Sequence, residues 1–367
     1  MSVPAGLPGG PTDAGSLAET TLRLCQIPSV TGDEAALGDW LESTLRALPV
    51  DRGAVVRSSH SLVVRPPRRA GHPLVVLAGH TDTVPPRQDR PAHVQGDWLE
   101  GTGASDMKSA LAVMLHLARD LDPASLPVDL GLVFYEREEG PFDQNYLATL
   151  LNEERFLHDP ALVVCMEPTS NRVQVGCLGC IHATVTFHGK RAHSARPWQG
   201  ENAVHKSAPF LSRLHGLAPR VVAQGPLVYQ EVSSVTMVEA TGTRNIVPDT
   251  FAMNLNTRFA PGKSLAEAQQ DVLALVAGEA DVVFTDLSPS GRLCLDNPLV
   301  QRLVARTGEP EPKQAWTDVA RFSEIGVDAV NFGPGEPAQA HQRNEGVSVE
   351  AIAASYALTR SWLVDAP

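Results

Sequence analysis

PLVVLAGHTDTVP, residues 73–85, sets an aliphatic run directly before a histidine and an aspartate two positions apart, His80 and Asp82. The run has the length and β-branched content of a buried strand. Along an extended chain, residues i and i+2 point the same way, so imidazole and carboxylate share a face at the strand's carboxyl end. In open α/β sheets that end is where ligands bind. A lone pair of this kind is commonly a surface hydrogen bond, so the rest of the chain has to supply partners.

Outward from this stretch the texture alternates up to about residue 170. SLAETTLRLCQI, DEAALGDWLESTLRAL, SDMKSALAVMLHLARDL and NYLATLLNEERFL have helical spacing. LVVRP, PLVVLAGH, VDLGLVFYE and ALVVCME read as strands. Alternation of this kind predicts an α/β fold with a mostly parallel sheet flanked by helices. From 177 to 290 the pattern changes to alternating strands (IHATVTFHG, VSSVTMVEA, TFAMNLNTRFA) with two helices, ENAVHKSAPFLSRLHG and SLAEAQQDVLALVAG. The first texture then resumes in NPLVQRLVARTG, WTDVARFSEIG, VDAVNFGPG and SVEAIAASYALTRSWLV. The expected organisation is a discontinuous domain, residues 1–176 and 291–367, interrupted by an α+β insert over 177–290.

The chain has 367 residues, 43% of them hydrophobic and 20% charged, with net charge −12. That balance is ordinary for a soluble globular protein and disfavours nucleic acid or an anionic membrane as partner. MSVPAGLPGGPTDAG lacks the basic and apolar regions of a signal peptide and reads as a floppy tail. No run approaches the roughly 18 apolar residues of a membrane span. Five scattered cysteines fit reduced thiols in a cytoplasm. Cys177 and Cys180 form a CxxC, but no second pair completes a zinc knuckle and the following residues read as strand, so two ordinary thiols are expected.

Further acidic and imidazole groups recur just past strands. Asp106 lies in GTGASDMK, where a helix-capping role is an alternative. Glu138 and Glu139 follow VDLGLVFYE, where a solvated charge cluster would also serve. Glu167 ends ALVVCME, and His341 follows VDAVNFG across a Gly/Pro-rich loop. If the sheet is parallel, all of them emerge at one edge. Two histidines and three carboxylates make a mixed nitrogen–oxygen set suited to Zn²⁺, Mn²⁺ or Co²⁺. Two divalent ions against three carboxylates leave one positive charge for a hydroxide to balance, which suits a partly buried site. A fourth carboxylate is then left to move protons.

The ordered set HTDTVP, GTGASDMK, EEG, MEPT and a distant FGPG…His341…Glu345 resembles the co-catalytic metallopeptidase family of acetylornithine deacetylase, succinyl-diaminopimelate desuccinylase, aminoacylase and glutamate carboxypeptidase. The likeness runs from about residue 15 onward. RAHSARPWQGENAVHKSAP, NIVPD, NTRFAPG and WTDVARFSEIGVDAVNFGPG are most similar to the desuccinylase branch. The resemblance implies two metal sites, His80 with Glu167 and Glu139 with His341, bridged by Asp106. It makes Asp82 the carboxylate that orients His80 and Glu138 the general base, with Glu136 in EREEG as the alternative two residues upstream. His193 reads from the residues alone as a surface loop histidine, and the resemblance makes it the donor to the oxyanion. Arg258 could form an ordinary salt bridge, and the resemblance makes it a clamp for a substrate carboxylate. Asn245, Asp318 and Arg321 are implied to line the same pocket, although capping a helix explains Asp318 equally well.

The expected activity is hydrolysis of an N-acyl amino acid by a dinuclear metal site, zinc first and cobalt or manganese as alternatives. N-succinyl-LL-2,6-diaminopimelate is the leading substrate. Acetylornithine or acetyl-lysine deacetylase, aminoacylase and a glutamate carboxypeptidase-like exopeptidase are the neighbouring readings. A non-catalytic metal-dependent binding protein is the rival of another class, and the base beside the ligands argues against it. The resemblance also implies a homodimer through the insert, with His193 serving the partner's site.

Overall fold

The strand Leu74–His80 is buried at every position, as an unbroken apolar run must be when both faces of its sheet are covered. In the computed structural model, which describes residues 6–49, 51, 54–86 and 90–365, it pairs in parallel with Asp129–Tyr135 and with Leu162–Cys165. Leu162–Cys165 pairs in parallel with Ala329–Asn331. Antiparallel strands extend this centre, Ser61–Val64 and Val55–Ser58 on one side and Gln174–Val175 on the other. The fold is therefore α/β, with the expected parallel sheet at its heart. Helix Ser109–Asp120 is buried from Ser109 to Ala118 and packs against Ala14–Gln26 and Val349–Val364. A small antiparallel sheet of His93–Gln95, Trp98–Glu100 and Gly346–Ser348 stands apart from the large one.

The chain forms two compact units. The first holds the described residues up to Gly176, Leu293–Glu311 and those from Thr317 onward; the second holds Cys177–Arg292 and Pro312–Trp316. The second unit thus takes in residues 291–292 and 312–316, which the sequence reading assigns to the first. Non-local bonds explain the difference. Gly291 N–H donates to the Cys177 carbonyl at 3.0 Å, Leu178 N–H to Ala315 at 3.0 Å, and the Trp316 indole to Pro289 at 3.1 Å.

Within the second unit, five antiparallel strands run in the order Arg220–Gln224, Leu227–Ala240, Thr250–Phe259, Gly179–His188, Asp281–Ser288. Alternate residues Ile181, Ala183, Val185 and Phe187 join Met253, Leu255, Phe210 and Val272 in one core under the helices. The first and last of these strands escaped the sequence reading. The single helix expected over 201–216 is two, Ala203–Lys206 and Ala208–His215, because Pro209 lacks the N–H that an uninterrupted helix needs. The CxxC thiols are buried and form no disulfide.

The N-terminal stretch is tied down where it is described. Gly6 N–H donates to Thr44, the Arg119 guanidinium donates to the Pro8 carbonyl, and the Asp13 side chain caps the first helix. The floppy tail expected there therefore does not extend over residues 6–13; residues 1–5 lie outside the described residues.

Candidate metal centre

Parallel pairing aligns the strand ends: His80 sits opposite Tyr135, and Ala78 opposite Cys165, which itself faces Asn331. His80, the Glu138–Glu139 pair, Glu167 and the loop to His341 therefore leave the sheet at one edge. Asp106 reaches the same place from the irregular turn Ala104–Lys108 that precedes the buried helix. Gly103 makes that turn possible. Its φ of +76° is left-handed, and a Cβ there would meet Thr83 Cγ2 at 2.6 Å. The Asp106–Met107 peptide is cis. Asp106 does not cap the helix, whose N-cap position is Lys108; its carboxylate points at two imidazoles instead.

Asp106 Oδ1 lies 3.0 Å from His80 Nε2, and Oδ2 lies 3.8 Å from His341 Nε2. His341 Nε2 is also 2.8 Å from Glu139 Oε1. One carboxylate thus presents a different oxygen to each histidine, the geometry of a bridge. Ligand atoms of His80, Asp106 and Glu139 all fall within 4.8 Å of one another. Two ligands of one tetrahedral zinc, each about 2.0–2.1 Å from the ion, are about 3.3 Å apart, so the donor set and its spacing fit a metal. The charges fit as well. Burial and the Glu167 charge push the Glu138 carboxyl well above its ordinary range, and burial with the Asp106 charge raises Glu139 against the pull of His341. The hydrogen bond to Glu139 lifts His341 to about 9. So many carboxylates crowded together call for a cation. Glu167, 5% exposed, lies just past Leu162–Cys165.

His80 is aimed by its neighbour. Its Nδ1 lies 3.0 Å from the Asp82 carbonyl and 3.5 Å from Asp82 Oδ1, which leaves Nε2 facing Asp106. The buried Asp82 carboxylate also accepts the backbone N–H groups of Glu138 and Glu139 at 2.9 and 3.0 Å, and the Thr31 hydroxyl at 2.9 Å. One aspartate therefore fixes both the imidazole and the acidic turn. Glu136 faces elsewhere: it is fully buried and accepts the His60 N–H at 3.1 Å.

Asp318 and Arg321 are buried. Asp318 accepts the Tyr135 hydroxyl at 2.8 Å, the Asn145 amide at 2.9 Å and Arg321 Nε at 2.9 Å. Arg321 also stacks over Phe142, 3.8 Å from the ring centroid. Helix Val319–Glu324 draws no side-chain cap from Asp318. The capping alternative for Asp318 gives way to a buried network in which its carboxylate accepts three donors.

In the second unit, His193 and Asn245 are brought together. His193 pairs with Ile246 across a short ladder, and Ser194 N–H donates to the Asn245 carbonyl at 2.9 Å. Both side chains are exposed. Ala195 N–H donates to His193 Nδ1 at 3.0 Å, so the neutral ring carries its proton on Nε2 and can donate from there. Arg258 is half-buried on strand Thr250–Phe259, with Nε donating to Asn256 Oδ1 at 3.0 Å.

Residues 76–364 match the model of peptidase family M20/M25/M40. The chain belongs to this family. A succinyl-diaminopimelate desuccinylase of Corynebacterium glutamicum is 36% identical over 350 residues, covering 94% of this chain and 95% of that protein. A Staphylococcus aureus tripeptidase has the same fold, with a TM-score of 0.75 at 19% identity over 97% of this chain and 98% of that one. A Bacillus subtilis protein described as a dinuclear metal-binding M20 peptidase superposes with a TM-score of 0.66 at 14% identity, over 96% and 97% of the two chains.

In this M20/M25/M40 chain, sequence reasoning missed Glu345. It is 2% exposed and accepts the N–H groups of Gly103, Ser105 and Asp106, each at 3.0 Å. It thereby holds the turn that presents Asp106, and burial raises its carboxyl to about 7. Glu345 itself closes the family-like motif, which was the available signal, but no role was assigned to it there. Tyr135 and Asn145 were also missed; a strand tyrosine and a loop asparagine carry no local mark of the network they join.

Proposed function

We propose that this metallopeptidase-family hydrolase cleaves the amide bond of N-succinyl-LL-2,6-diaminopimelate, releasing succinate and LL-2,6-diaminopimelate, in the cytoplasm. The observation that carries the reading is the near full-length identity to a desuccinylase, taken with an acidic, histidine-bearing cluster that suits two divalent ions. His80 and Glu167 would hold one ion, Glu139 and His341 the other, and Asp106 both. Zinc suits the donors best, with cobalt or manganese as alternatives. When bound, such ions supply Lewis acidity and bring the pKa of water from about 15.7 toward ~7.

The chain's own residues do the rest. Glu138 takes a proton from the attacking water and returns it to the leaving amine. Burial beside Glu167 favours the protonated carboxyl that this relay needs midway. Asp82 keeps His80 in one tautomer. The Nε2–H of His193 donates to the oxyanion as the amide carbon becomes tetrahedral, and Arg258 receives a substrate carboxylate.

The assembly we infer is a homodimer through the second unit, with His193 acting in the partner's site. Supporting it, Val221, Met237, Val238 and Val283 on the sheet's strands are 60–72% exposed, and edge strands offer backbone groups to a second copy.

The test is amine release from N-succinyl-LL-diaminopimelate, N-acetylornithine and N-acetyl-lysine, with elemental analysis of the same preparation. The reading expects the succinyl substrate to lead in kcat/KM with two ions per chain. Preference for an acetyl substrate would overturn the assignment, and a single ion in fully active protein would overturn the dinuclear site.

A further inference from the structure

The sheet of the second unit buries one face under its helices and leaves a polar ladder on the other. His182 stands directly opposite Asn256 on the neighbouring strand, with Asn254 and Arg258 two residues to either side. All four side chains are half-buried and share a face, since they occupy alternate positions. His182 Nε2 lies 2.9 Å from Asn256 Nδ2, and Nδ1 lies 3.1 Å from Asn254 Nδ2. Arg258 Nε donates to Asn256 Oδ1 at 3.0 Å.

Donor and acceptor counting gives this ladder a direction. A neutral imidazole has one N–H and one lone pair, so two carboxamides cannot both donate to it. Asn256 has its oxygen occupied by Arg258 and must donate through Nδ2, which makes His182 Nε2 the acceptor. His182 then carries its proton on Nδ1, and the Asn254 carboxamide must turn over, exchanging Nδ2 for Oδ1, to receive it. As placed, Asn254 Nδ2 donates to Thr236 Oγ1 at 2.6 Å; with the carboxamide turned over, the Thr236 hydroxyl donates to Oδ1 instead. The chain runs from Arg258 through Asn256 and His182 to Asn254. It uses only the Nε edge of the guanidinium and leaves the two-nitrogen edge, the one that matches a carboxylate bidentately, for a ligand.

We propose that His182 and Asn256 are positioning residues that hold the Arg258 guanidinium in one orientation for a substrate carboxylate. The inference rests on the reading of Arg258 given above and extends it to residues that touch no substrate. His182 locks the carboxamide of Asn256 against rotation, and Asn256 locks the plane of Arg258.

The test compares His182→Ala, Asn256→Ala, Arg258→Ala and the His182→Ala/Arg258→Ala double variant on a succinylated substrate and on the same compound with its carboxylates esterified. Losing a neutral hydrogen bond in the ladder should raise KM for the free acid roughly 3–10-fold, with kcat little changed and the ester indifferent. His182→Gln, which keeps an acceptor and a donor, should recover most of the loss. In the Arg258→Ala background, His182→Ala should add nothing. Additive losses, or equal losses on acid and ester, would overturn the proposal. A second readout needs no turnover: the ¹⁵N–¹H relaxation of Arg258 Nε should report a rigid group in wild type and a mobile one in His182→Ala. If wild type hydrolyses no acyl amino acid, the functional reading fails on its own. The Nε signal still decides the ladder, and an unchanged signal in His182→Ala refutes it.

Discussion

The two units carry their chemically important groups in opposite ways. In the first, His80, Asp106 and the turn that carries Glu139 are held by other parts of the same unit. Asp82 accepts three donors while it steers His80, and Glu345 accepts three backbone N–H groups beneath Asp106. In the second, His193 and Asn245 stand exposed on a two-rung ladder, and Arg258 keeps one guanidinium edge unused. A cluster that must hold cations at fixed spacing needs mutual restraint, because a misplaced carboxylate costs both geometry and charge balance. Groups that meet a substrate need an open edge.

The sharpest way to break that contrast is to remove the shared oxygen pair. Asp106→Ala should strip both ions and drop turnover to that of metal-depleted protein, whereas His341→Ala should spare one ion. Elemental analysis separates the two, and equal metal loss in both would end the bridging role. Next in size, Glu138→Gln should keep metal content and melting temperature while kcat falls about 10²–10⁴-fold. If Glu136→Gln alone has this effect, the base lies two residues upstream.

The second unit is tested by His193→Ala, expected to cost about 10²–10³-fold in kcat without touching metal content. Mixing it with Glu138→Ala and re-associating the dimers should restore activity if His193 serves the partner's site. Verified heterodimers that stay inactive would confine His193 to its own chain.

The smallest effect concerns stability away from the site. His116 is fully buried between Thr12 and Thr20, and burial with the Arg119 charge lowers it from 6.5 to about 4. The unfolded chain therefore binds a proton that the folded one refuses, so stability is present above pH 6.5 and is lost as pH falls toward 4. The loss attributable to His116 should reach about 2–3 kcal/mol. Denaturant melts of wild type and His116→Gln across that window should diverge by this amount; parallel curves would show that His116 does not contribute.

Much of the first unit was legible because its signals are local. An all-buried strand needs an unbroken apolar run, and PLVVLAGH announces one; the alternating strand Thr250–Phe259 shows its buried and open faces in TFAMNLNTRF. The strands Arg220–Gln224 and Asp281–Ser288 were illegible because their exposed valines blur the alternation. The break before Pro209 was legible in principle and overlooked.

By itself the sequence determined the parallel centre, the presence of an insert and the residue types at the strand tips, because periodicity and turn chemistry act over a few residues. Only the tertiary structure decided what those residues touch. Glu345 lies 239 positions from the Asp106 N–H it accepts, and Asp318 lies 183 from the Tyr135 hydroxyl that occupies it. No local pattern encodes such partners, since a buried carboxylate is satisfied by whichever donors the chain folds against it. The same reason placed Pro312–Trp316 in the second unit: backbone bonds across a long loop outweigh the texture of five residues.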